Sequence, residues 1–127
     1  MPIVVSGCIG PRGDGYDPGQ IMSVEAAESY HAWQIEIFAN GAADLVSAIT
    51  MTNISEAVGI ARAAKAHSIP VVISFTVETD GNLPTGDDLG EAIAAVDGAP
   101  GAYPGYSMIH CAPPDHGAEP RSGACAW

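Results

Sequence analysis

Three cysteines and four histidines are the residues of this chain best suited to metal or nucleophilic chemistry. Cys111 directly follows His110, and His116 lies close behind. Thiolate and imidazole are the ligands a zinc ion prefers. Cys125 or His110 would add a third donor, although no recognised ligand spacing joins these residues. His110 ends an apolar run, where it can orient a ligand or exchange a proton. The plainer reading of each is a small buried thiol or a packed, hydrogen-bonded ring. Cys8 has the same two readings. His31 and His67 fall within helical patterns and read as surface or packing residues. Thr50, Thr52, Ser74 and Thr76 carry hydroxyls that can contact a small molecule, and the same types are ordinary strand and cap material. Gly13-Asp14-Gly15 lacks the Gly-Lys-Ser/Thr ending of a phosphate loop.

These residues must be positioned by regular elements. Ile3-Val4-Val5 reads as a strand ending in Ser6-Gly7-Cys8, followed by an irregular Gly/Pro/Asp-rich stretch from Gly10 to Gly19. Ser23 is a suitable N-cap for a helix with apolar positions Ala26, Ala27, Tyr30, Trp33, Ile37 and Phe38, closed by Gly41. A second strand spans Leu45 to Ile49 and ends in Thr50-Met51-Thr52. Asn53 and Glu56 have the spacing of a capping box. The helix they open buries Ala57, Ile60, Ala61 and Ala64 and runs to about Ala66. Val71–Thr76 is a third strand, Asp80-Gly81-Asn82 a turn, and Asp88 with Glu91 caps a helix to about Val96. Tyr106 to Ile109 is a fourth strand, delivering His110-Cys111.

The order β-α-β-α-β-α-β, with short, apolar, non-alternating strands, predicts an α/β fold with parallel strands joined by right-handed crossovers and both sheet faces covered by helices. In such folds ligands gather at the carboxyl ends of the strands. Those ends carry Ser6-Gly7-Cys8, Thr50-Met51-Thr52, Ser74-Phe75-Thr76 and His110-Cys111.

Composition narrows the partners. Of 127 residues, 47% are hydrophobic, so a core is attainable. Four basic against fifteen acidic residues give a net charge of −11, which disfavours nucleic acid and anionic membranes. No apolar run reaches the ~18–20 residues that span a bilayer, and no signal peptide opens the chain. An odd, widely spaced set of cysteines is no disulfide framework and points to a reducing cytoplasm.

Four segments, taken in order, resemble one family. They are Ser6-Gly7-Cys8-Ile9-Gly10-Pro11; Gly41 to Leu45 with Glu56-Ala57; Ser74-Phe75-Thr76 before Gly81 and Gly86; and His110-Cys111-Ala112. Together they are similar to the homocysteine S-methyltransferase family from about Pro2 to His116. The resemblance implies a (β/α)8 TIM barrel, of which this β-α-β-α-β-α-β segment is about half. It implies zinc on three cysteine thiolates, of which Cys111 matches the first, with a small-molecule thiol such as homocysteine and a methyl donor as partners. Thr50, Ser74, Thr76 and His110 are then expected to line the substrate pocket.

Two positions depart from the family pattern. His110 replaces an asparagine, and Ile49 replaces a glutamate that helps hold the substrate amino group. The family's adjacent Cys-Cys pair is not in the chain, and zinc is therefore expected to be weak or absent here. Residues 1–116 read as a partial barrel and 117–127 as an irregular tail, a truncation or frameshift product. The alternative is a non-catalytic α/β module that associates, as a homo-oligomer or with a partner, through open sheet edges.

Overall fold

The computed structural model of the chain describes residues 2–98 and 104–110. Cys111, His116, Cys125 and the expected tail 117–127 lie outside the described residues. Strands β1 (Ser6–Ile9), β2 (Leu45–Met51), β3 (Val71–Thr76) and β4 (Pro104–His110) alternate with helices α1 (Val24–Asn40), α2 (Ile54–Ala66) and α3 (Leu89–Asp97). All pairings are parallel and the sheet order is β1-β2-β3-β4.

That sequential order corrects one expectation. Right-handed crossovers that always step the same way put every helix on the same face. Helices therefore cover only one side of this sheet, the side carrying buried Val46, Ala48, Ile73 and Phe75. On the other side Ser6 and Cys8 are exposed, Leu45, Ser47 and Ile49 are half-buried, and Met108 is exposed, while Val72, Ser74 and Thr76 on β3 are buried.

The helix caps follow the sequence. Ser23 accepts from the Ala26 amide at 3.1 Å, Asn53 from Glu56 at 2.9 Å, and Asp88 from Glu91 at 3.1 Å. Each satisfies an amide that a first helical turn leaves without a partner. β1 starts later than expected. Ile3, Val4 and Val5 are exposed and extend no strand, because β2 begins pairing only at Leu45, opposite Ser6. The chain is fastened there by Asp44, whose side chain accepts from the Val5 amide at 2.8 Å.

α1 also turns a different face inward. Ala27, His31 and Ile35 are its buried residues, whereas Tyr30, Trp33 and Ile37 are 43%, 58% and 60% exposed. The helix carries two stripes at helical spacing, 27/31/35 and 30/33/37, and an apolar count selects the second because His31 interrupts the first. The buried stripe wins because Ala27 lets α2 approach closely. A Cβ on Gly59 of α2 would sit 2.6 Å from the Ala27 Cβ and 2.7 Å from the Glu28 amide nitrogen.

Candidate functional site

The strand ends expected to carry chemistry meet along one rim. β2 reaches it through an irregularity: Ala48 pairs with Ile73 but Met51 with Phe75, so β2 holds one residue more than β3 over that span. Thr50 sits in this bulge with φ of 53°, a left-handed conformation that β-branched residues avoid. Its hydroxyl donates to the Ile49 carbonyl at 2.8 Å. Ser74 and Thr76 are buried on β3, and the backbone of His110 is in register with Thr76 across the β3–β4 pair. Thr52, also buried, accepts from the Asn53 side chain at 3.3 Å.

The segment from 10 to 22, between β1 and α1, lies on this rim. Thr76 Oγ1 donates to the Gly15 carbonyl at 3.0 Å. A Cβ on Gly15 would stand 2.9 Å from Thr50 Oγ1, so only glycine fits against this threonine without a shift. Thr50 and Thr76 thus flank one point of the segment. Asx turns shape the rest: Asp14 accepts from the Tyr16 amide at 2.7 Å and Asp17 from the Gly19 amide at 2.9 Å.

Behind the rim is a polar cluster that the sequence reading divided between a helix cap and a packing histidine. Glu56 is 3% exposed and His31 is 0% exposed. Glu56 Oε1 accepts from His31 Nε2 at 2.8 Å and from the Arg12 amide at 2.6 Å, and Oε2 accepts from Asn53 Nδ2 at 3.3 Å. His31 Nδ1 has no partner among the described residues. Tyr30 packs edge-on to His31 with ring centroids 4.8 Å apart, and the Arg12 guanidinium lies 5.4 Å from the Tyr30 ring centroid. The sequence offered only the separate parts, Glu56 in a capping box and a histidine after Tyr30, with 25 positions between them and no pattern joining the two.

Cys8, on the open side of the sheet, is the cysteine among the described residues. No three histidine, cysteine or acidic side chains among them converge closely enough to hold a metal ion. The described residues therefore do not form a zinc site on their own. No helix among them is long and apolar enough to cross a membrane.

The model of the homocysteine S-methyltransferase family matches residues 1–120. Among solved structures, the metallated form of the homocysteine methyltransferase MmuM from Escherichia coli superposes with a TM-score of 0.76 at 26% identity. Its apo form gives 0.73 at 27%. Both matches cover 90% of this chain and 41% of the other, so the chain spans about two fifths of the length of those structures. The search of curated proteins finds no match. The sequential parallel sheet with helices on one face agrees with a partial TIM barrel. The chain belongs to the homocysteine S-methyltransferase family.

Proposed function

We propose that this chain is part of a zinc-dependent S-methyltransferase in which the sulfur of a small thiol such as homocysteine accepts a methyl group. The family match over residues 1–120 carries this reading. The similarity to a homocysteine methyltransferase solved in a metallated form supports a metal requirement. In this reading Cys111, the next residue after β4, is one of three thiolate ligands, and Thr50, Ser74, Thr76 and His110 line the thiol pocket. Bound zinc keeps the acceptor sulfur as a thiolate at neutral pH. With one of the three thiolates of this reading at Cys111 and no adjacent Cys-Cys pair, the chain alone is expected to bind zinc weakly and to show no turnover. A reducing cytoplasm is the compartment that suits such thiolates.

The test is zinc content and methyl transfer in a parent polypeptide containing this segment, with and without Cys111→Ser. We expect about one zinc per chain and transfer to thiol in the parent, with both lost in the variant. Full zinc occupancy in Cys111→Ser would remove Cys111 from the site. Because the hydrocarbon Ile49 cannot pair with an amino group, a thiol lacking that group should compete well with homocysteine.

A second reading, a module that works by association, is favoured by one observation. Tyr30, Trp33 and Ile37 form an exposed apolar stripe on the outer side of α1, and the sheet face turned away from the helices is exposed at Ser6, Cys8 and Met108. A metal-free oligomer with no transferase activity in any longer form would support it.

A further inference from the structure

Glu56 occupies a position where a carboxylate is costly to bury, and its contacts say what the burial accomplishes. A glutamate three residues past an N-cap ordinarily folds back to its own cap amide. Here the carboxylate accepts from the side chain of its N-cap, Asn53, and also joins two other pieces of chain: His31 on α1 and the Arg12 amide in the segment between β1 and α1. An apolar side chain of similar volume would fill the same space at the α1–α2 junction, at the cost of leaving buried His31 Nε2 without a partner. What it could not do is hold Arg12.

The segment needs holding. Between Gly10 and Gly19 it is mostly glycine, proline and aspartate, and its large side chains Tyr16 and, farther on, Ile21 are 63% and 50% exposed. Little apolar burial offsets the entropy of ordering it. Among its fastenings are the Arg12 amide on Glu56, the Arg12 guanidinium over Tyr30, and, three residues on, Gly15 seated between Thr50 and Thr76. With so short a tether from Arg12 to Gly15, the grip on Arg12 sets where Gly15 can sit.

We propose that Glu56, backed by His31, is a positioning residue: it latches the β1–α1 segment across the carboxyl ends of β2 and β3 and so fixes the rim around Thr50 and Thr76. The rim's use in thiol methylation rests on the function proposed above; the latch itself does not.

Hydrogen exchange of the full chain, read by mass spectrometry without metal or substrate, tests it. Glu56→Leu keeps the packing volume and deletes the acceptor. Exchange in residues 12–19 should rise at least tenfold while β3 and the second half of α2 keep their protection. Glu56→Gln retains the oxygen that Arg12 bonds and should restore most of the protection. Should Glu56→Leu fail to fold, Arg12→Pro removes the donor from the other side without touching the core. It should speed exchange over 13–19, whereas Arg12→Ala, which keeps the amide, should do so far less. Unchanged exchange in the segment, or equal loss of protection in every peptide, would overturn the latch. Failure of the parent to bind zinc or methylate a thiol would overturn the functional reading and leave this result standing.

Discussion

Thr50 is held in a conformation that costs about 1–3 kcal/mol for a residue with a side chain. The net value of its hydrogen bond to the Ile49 carbonyl is only about 0.5–1.5 kcal/mol. Strain of this kind persists where the surroundings impose it, and here they are the β2 bulge and the Gly15 contact at the rim. Asparagine tolerates the left-handed region and can still bond locally. Thr50→Asn is therefore expected to raise the free energy of unfolding by about 1 kcal/mol in urea titrations. A loss of similar size would show that the threonine's contacts outweigh its strain. Thr76 presents the opposite case, being regular, buried and bonded to Gly15. Thr76→Val keeps the shape but leaves the Gly15 carbonyl without its donor, and should cost about 1–2 kcal/mol in the same measurement.

At the scale of elements, the α1–α2 junction is decided by Gly59. Alanine is the better helix former by about 1 kcal/mol. Its Cβ would nevertheless meet the Glu28 amide nitrogen at 2.7 Å and the Val24 carbonyl oxygen at 2.8 Å, and backbone atoms inside a helix cannot step aside. Overpacking costs about 1–3 kcal/mol, so Gly59→Ala should destabilise on balance, with a lower thermal midpoint. A higher midpoint would mean that the helices separate freely. The same junction shows where sequence reasoning succeeds and where it stops. Caps at Ser23, Asn53 and Asp88, the apolar face of α2, and all of β3 were legible because local chemistry or a single periodicity specifies them. The inward face of α1 was not, because its key residue, His31, is polar and becomes a core residue only through Glu56, 25 positions away. The seat of Gly15 on Thr76 spans 61 positions and left no local pattern at all.

At the scale of the molecule, the described residues form four sequentially ordered parallel strands with their helices on one face, and among those residues the other face is partly uncovered. The outward stripe of Tyr30, Trp33 and Ile37 compounds this. Covering such side chains stabilises by about 25 cal/mol per Å² of apolar area, a few kcal/mol for the stripe. Like charge opposes contact between copies, since each chain carries −11. This repulsion is screened over about 10 Å at 0.1 M salt and about 3 Å at 1 M, whereas apolar attraction is not weakened by screening. The purified chain should therefore associate more strongly as sodium chloride rises. Light scattering would report a mass increasing from that of one chain. Trp33→Lys with Ile37→Lys removes most of the exposed stripe while lowering the net negative charge. If the apolar surface governs association, this variant stays at the mass of one chain at high salt despite its reduced repulsion. If it associates as readily as the original, the open sheet edges are the associating surface and the stripe is not.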